Sequence, residues 1–303
     1  MESDFHYKSA FGGNDCSTAA YDLVEPVNCS SSVVFASPHS GREYPESLMA
    51  RTRLDKKTVR SSEDAYVDEL FSCAPEFGSP VLIARTPRAY VDFNRAPNEL
   101  DPALIEGAPD PVWNSRISSG LGVIPRVVAN GQSIYSGRLP LSEAVTRLEK
   151  CWIPYHQKLE FLLNRAHWAF GESILIDCHS MPREAMDGVV SGNGGVRPEI
   201  VLGDRYGASA HEMIVDGVEA AFADAGFKVV RNKPFAGAYI AQRYGRPACG
   251  RHAVQIEIDR SLYMDERRFR KNASFHAFRA LIKGVTAEIA AMGHSGRIPV
   301  AAE

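Results

Sequence analysis

Short apolar runs closed by turn-forming residues alternate along this chain with longer stretches of helical spacing. Residues 33–36 and 174–177 read as buried strands, and each runs into a histidine, His39 after the first and His179 after the second. Residues 80–85 and 89–93 alternate like two more strands around Thr86-Pro87-Arg88, and 199–202, 227–230 and 252–258 read as further strands. Helical spacing covers 64–70, where a Ser or Asp side chain can cap the start, and 141–170, where Pro154 must start, kink or break a turn before Gly171 ends it. It returns over 208–225, closed by Gly226, and over 265–291. Strands alternating with helices predict an α/β fold, a mostly parallel or mixed sheet covered on both faces.

The Pro-, Gly- and Asn-rich stretch 95–142 is too long for a plain connection and is expected to be an active-site loop region. The glycine-rich segment 191–195 lacks the Lys-Ser/Thr ending of a phosphate-binding loop and is expected to be a lid or turn. Residues 1–30 are polar and mixed and read as an N-terminal extension, leaving 31–303 as a single domain.

At 303 residues, with 45% hydrophobic and 23% charged residues, the chain can bury a sizeable core. A net charge of -3 gives no electrostatic reason to expect nucleic acid. The acidic start Met1-Glu2-Ser3-Asp4 is no signal peptide, and no apolar stretch approaches the roughly 20 residues of a membrane helix, so a cytoplasmic protein is expected. The six cysteines show no CxxC spacing and read as reduced thiols. Cys178 adjoins His179, but neighbours on a strand point to opposite faces, which disfavours a Cys/His nucleophile pair.

Open α/β sheets hold ligands beyond the carboxyl ends of their strands, so His39 and His179 are placed to meet in one crevice. A catalytic zinc commonly takes two histidines and one carboxylate. Asp64 is the preferred third ligand, with Glu63 beside it as the alternative, and Asp177 shares the strand face of His179 and can orient its imidazole. In 252–258 and just beyond, Gln255, Glu257 and Asp259 fall on one face. That face is either solvated or, at the crevice, supplies Glu257 as a general base. Arginine matches a carboxylate with a planar fork, which singles out Arg95 beside Asn94, ahead of the less specific Arg88, Arg126, Arg246, Arg251 and Arg260. A surface arginine capping a turn is the plainer reading of Arg95.

These residues sit in segments that resemble the N-formylglutamate amidohydrolase family. The carriers, in order, are Pro38-His39-Ser40-Gly41-Arg42 with Tyr44-Pro45, Glu63-Asp64-Ala65-Tyr66-Val67-Asp68-Glu69-Leu70, and Pro87-Arg88-Ala89-Tyr90-Val91-Asp92-Phe93-Asn94-Arg95. Gly120-Leu121-Gly122-Val123-Ile124-Pro125-Arg126, Tyr155-His156, Asp177-Cys178-His179-Ser180-Met181 and Gln255-Ile256-Glu257-Ile258 follow. The resemblance implies a three-layer α/β/α fold with a central mixed sheet, similar to zinc carboxypeptidases. It implies hydrolysis of N-formyl-L-glutamate to formate and L-glutamate in histidine degradation, with His39 and His179 as metal ligands and Glu257 as the base. Asn94-Arg95, helped by Arg126, would hold a substrate carboxylate. Carboxypeptidases have His-x-x-Glu, whereas the third residue after His39 is Arg42, so the carboxylate ligand must come from elsewhere.

The expected partner is therefore a small acyl amino acid, and the expected cofactor a divalent metal, zinc first, although manganese, iron or cobalt suit the same ligands. The rivals are a zinc deacylase or carboxypeptidase acting on another N-acyl amino acid or peptide, and a non-catalytic dicarboxylate-binding protein.

Overall fold

Nine consecutive buried residues, Ser173–Met181, form the strand around which the other elements are arranged. The structure is a computed structural model in which residues 20–109, 114–190 and 197–294 are described. Seven strands form one sheet: β1 Tyr21–Val24, β2 Val33–Ser37, β3 Val81–Ala84, β4 Ser173–Met181, β5 Ile200–Gly203, β6 Val229–Arg231 and β7 Arg251–Asp259. Their order across the sheet is β1-β3-β2-β4-β7-β5-β6. The middle four, β3, β2, β4 and β7, are parallel, while β1 pairs antiparallel with β3 and β5 antiparallel with β7, β6 running parallel to β5, which makes the sheet mixed.

Helices cover both faces. On one, Tyr155, Leu159, Leu162 and Leu163 of α2 (Ile153–Phe170) pack on Val34, Leu82, Leu175 and Ala253. On the other, α1 (Val67–Phe71), α3 (Glu212–Asp224) and α5 (Phe275–Met292) pack Val67, Phe222 and Ile282 among their apolar residues against Phe35, Ile174, Ile176, Val254 and Ile256. The architecture is the expected three-layer α/β/α arrangement. Because β2, β4 and β7 are adjacent and parallel, their carboxyl ends lie side by side, and a register of His179 opposite Glu257 puts those two side chains on the same face. No helix among the described residues is long and apolar enough to cross a membrane.

Several local expectations differ. Strand β4 runs on to Met181 through Asp177 and His179, since β7 supplies ladder partners along its whole length, whereas the pairing with β2 stops at Asp177. Residues 89–93 are turns rather than a strand, with Val91 and Phe93 packed in the core. Asp64 caps no helix: α1 starts at Val67 after Tyr66, which turns the chain in the left-handed region at φ 67°. The stretch 141–170 divides into an α-helical Leu141–Arg147, a π-helical Leu148–Trp152 and α2, and Pro154, which offers no N–H, falls directly after the π-helical turn where the hydrogen-bond pattern changes. The last helix begins only at Phe275, because Met264–Asp265 pairs with Arg270–Lys271 first. Tyr21–Val24, within the stretch expected to be an extension, forms the edge strand β1. The glycine-rich segment 191–195 lies outside the described residues.

Candidate active site

His39 lies two residues past β2, in a loop pressed so closely against the segment after β3 that a Cβ at Gly41 would meet the Thr86 carbonyl oxygen at 2.1 Å. His179 belongs to β4, and the two imidazoles stand with ring centroids 4.7 Å apart. Asp64 sits between them, its Oδ2 2.9 Å from His179 Nδ1 and 3.4 Å from His39 Nδ1. All three residues are buried, and their ligand atoms lie within 4.8 Å of one another. Glu63 points its carboxylate elsewhere, accepting from Tyr44 Oη at 2.7 Å and Arg60 Nε at 2.8 Å.

The far side of each ring is also held. His39 Nε2 is 2.7 Å from Asp92 Oδ1, and His179 Nε2 is 3.1 Å from Asp177 Oδ2. With each Nε2 donating to its carboxylate, each Nδ1 keeps a lone pair facing Asp64. The other oxygen of Asp64 accepts from Arg260 Nη2 at 2.9 Å and Ser180 Oγ at 3.2 Å. His39 Nδ1 has no hydrogen-bond partner among the described residues. Such an atom, buried beside a second imidazole nitrogen and a carboxylate, fits a divalent metal: the donor set is that of a catalytic zinc, with carboxylates fixing the imidazoles from behind.

The charges agree with a site built around a cation. Burial alone would raise the Asp64 carboxyl, but His179 and His39 hold it well below the usual carboxylate range. Burial would raise Asp92 too, yet Arg88, His39 and Arg95 keep it well below that range. Burial would lower His179, but Asp177 and Asp64 on either side outweigh it and raise its pKa well above the ordinary value. Glu257 goes the other way: at 8% exposure, burial pushes its carboxyl up to about 7. Gln255 Nε2 donates to Glu257 Oε1 at 2.9 Å and so orients it.

These groups line a cavity of about 390 Å³. Its walls include Arg88, Arg95, Arg116 and the segment from Pro234 to Ala238, which approaches so closely that a Cβ at Gly203 would meet Gly237 N at 2.6 Å. Arg88 spends Nε on Asp92 Oδ2 at 2.9 Å. Arg95 spends Nε and Nη1 on the carbonyls of Leu121 and Asn94, at 3.0 and 2.8 Å.

Of the residues expected from sequence, His39, Asp64, His179, Glu257, Asn94 and Arg95 all line this one cavity. Asn94 is largely engaged by the protein, its Oδ1 accepting from Ile240 N at 2.8 Å and its Nδ2 donating to Asp177 Oδ2 at 3.4 Å. Arg126 is not among the lining residues, and its Nε donates to Asp101 Oδ2 at 2.8 Å. Arg126, expected to help hold substrate, thus faces Asp101, and the arginines on the wall besides Arg95 are Arg88, Arg116 and Arg260. Cys178 packs in the opposite core, where burial raises its thiol well above the ordinary value, unlike a nucleophile. Sequence reasoning assigned no role to Asp92 or Arg116, and left Arg260 without its partner Asp64. Asp92 carried a usable signal, lying two residues before Asn94 in a segment already singled out.

A family model described as N-formylglutamate amidohydrolase matches residues 31–264. An N-formylglutamate deformylase of Pseudomonas putida is 29% identical over 237 residues, covering 77% of this chain and 82% of its own. One from Pseudomonas aeruginosa is 29% identical over 266 residues, covering 86% and 93%. The crystal structure of N-formylglutamate amidohydrolase from Ralstonia eutropha superposes with a TM-score of 0.85 at 32% identity, covering 91% of this chain and 99% of that one.

Proposed function

The chain belongs to the N-formylglutamate amidohydrolase family, and from that premise we propose that it hydrolyses N-formyl-L-glutamate to formate and L-glutamate, as a step of histidine degradation. The observation that carries the proposal is the meeting, in one arginine-walled cavity, of the His39, Asp64 and His179 ligand atoms with a carboxylate, Glu257, whose pKa lies near neutrality. His39 Nδ1, Asp64 Oδ2 and His179 Nδ1 would hold a divalent metal, zinc being the best match to the donor set. When bound, the metal supplies Lewis acidity toward the formyl oxygen and the attacking water.

The chain's own groups do the rest. Glu257 takes a proton from the attacking water as its oxygen adds to the formyl carbon, then returns that proton to the nitrogen as the C–N bond breaks. A carboxyl with a pKa near 7 suits both transfers. Asp92 and Asp177 keep the imidazoles in one tautomer, and Gln255 keeps Glu257 from rotating away. Arg88 and Arg95 supply the positive wall that a substrate with two carboxylates requires, with Asn94 supporting Arg95 through its backbone carbonyl.

The test is formate release from N-formylglutamate alongside metal analysis of the purified protein. The expected outcome is turnover that is lost on chelation and restored by a stoichiometric divalent ion. Faster turnover of N-acetylglutamate, N-acetylaspartate or a short peptide would instead assign the site to a deacylase or carboxypeptidase of another specificity.

A further inference from the structure

Beside the active-site cavity lies a second hollow of about 440 Å³, walled by continuations of the same chain segments. Asn94 and Arg95 line the first cavity and Ala96, Asn98 and Glu99 the second; Gly237 and Ala238 line the first, and Tyr239, Gln242 and Arg243 the second. Arg116 lines both. The shared segments and the shared guanidinium place the two spaces side by side.

The second hollow is basic. Arg116, Arg243 and Arg246 stand against one carboxylate, Glu99, which is already engaged by Ala96 N at 3.0 Å and Asn114 Nδ2 at 3.2 Å. Arg243 reaches Glu160 only at 3.7 Å, an exposed pair of small energetic weight. Among the described residues Arg116 and Arg246 have no ion-pair partner, and Glu99 is the one carboxylate in the lining. Three guanidiniums around so little compensating charge select an anion, and a carboxylate matches their planar forks. The wall is also ordered from beneath: Tyr239 packs its ring 5.8 Å from Trp152 and 5.5 Å from His156, while the backbone of α4 (Tyr239–Tyr244) is tied to the first cavity through Ile240 N and Asn94 Oδ1.

We propose that this hollow receives an additional carboxylate carried by the substrate itself, so that the enzyme also deformylates N-formylglutamate extended through one carboxyl by an acidic residue. The proposal rests on the amidohydrolase reading of the first cavity. The chemistry is unchanged: water adds to the formyl carbon, the C–N bond breaks, and formate and the free amine of the extended substrate leave. What the hollow adds is selectivity for an acidic over a neutral extension.

The probes are N-formylglutamylglutamate and N-formylglutamylglutamine, each in its α- and γ-linked form. For at least one linkage, kcat/KM for the acidic extension is expected to exceed that for the neutral one by about tenfold at low salt, and the ratio is expected to shrink as salt rises. In Arg243→Gln/Arg246→Gln the ratio should fall to within about twofold of unity, the exposed pair of interactions being removed. Equal rates for the two extensions, no cleavage of the acidic ones, or the same ratio in the variant would overturn the proposal. So would inhibition by free glutarate, relieved in the variant, without any preference between the extended substrates. Formate release from N-formylglutamate reads the parent proposal separately. If that is absent, calorimetric binding of the acidic against the neutral dipeptide, in wild type and variant, still decides the hollow.

Discussion

The two faces of β4 and β7 are made from the same residues taken alternately, yet they do different work. Toward α3 and α5 the strands present Ile174, Ile176 and Cys178, then Val254, Ile256 and Ile258, apolar except at the ends, where His252 and Ser180 fall on the same face. Toward the cavity they begin with Leu175 and Ala253 and then change to Asp177, His179, Gln255 and Glu257. Both faces are buried at these positions. Burial on the first face is favourable in itself, whereas on the second it must be offset group by group, through Asp64 beside His179, Asn94 Nδ2 donating to Asp177 and Ala238 N donating to Gln255. The apolar face holds the sheet in place so that the costly face can be kept assembled.

The largest expected effect comes from the costly face. Glu257→Gln keeps the shape and removes the base, so kcat/KM should fall about 10³-fold. In metal-free protein the thermal midpoint at pH 8 should stay level or rise, because a buried ionised carboxylate is replaced by a neutral amide. Formate assays beside thermal unfolding check both, and a variant that keeps wild-type turnover would remove Glu257 from the mechanism.

Its neighbour one residue away should behave in the opposite manner. Ile256→Ala opens space in the apolar core and is expected to cost about 2–4 kcal/mol of stability, measured by urea unfolding. Turnover per folded molecule should be close to wild type, since Ile256 faces away from the cavity.

A smaller effect sharpens what the polar face owes to residues outside the strands. Asp92→Asn leaves the ring of His39 in contact but removes the charge that fixes its tautomer, so metal affinity is expected to drop by about 10- to 100-fold. Competition against a chromogenic chelator reads this directly.

Asp92 also marks the limit of legibility. The histidines were readable because each closes an apolar run, and Glu257 because alternation places it with Gln255 on one face. Asp92 falls in 89–93, where the same alternation imitates a strand; the segment is in fact turns, held by Val91 and Phe93 in the core. Strand β4 was read as ending near Asp177 because polar residues usually mark the end of a buried run, and only the pairing with β7, which continues to Met181, shows why they do not here. Arginines on the cavity wall could not be sorted from sequence. Arg126 and Arg88 both lie in irregular stretches, and the difference between them is Asp101, which holds the first away from the cavity.

The smallest effect tests whether one titration governs both behaviours of the polar face. Glu257 goes from an ordinary carboxyl pKa of 4.5 to about 7 on folding, so the native state holds its proton through a window in which the unfolded chain has lost it. That contribution to stability is complete below about 4.5 and is lost as pH rises through about 7. Asp64 and Asp92, lowered on folding, act in the opposite sense and weaken the fold only as pH falls below the ordinary 3.8. His179, raised on folding, adds a loss of the same sign as Glu257 above about 6.5, so the measurement that isolates Glu257 is the difference between wild type and Glu257→Gln. In metal-free protein, wild type should lose about 1 kcal/mol more than the variant between pH 6 and pH 8. Over the same range kcat/KM of the metal-loaded wild type should rise to a plateau as the base ionises, with its midpoint at or below about 7 because a bound cation favours the carboxylate. Parallel stability curves for the two proteins would assign that acid limb to a group other than Glu257.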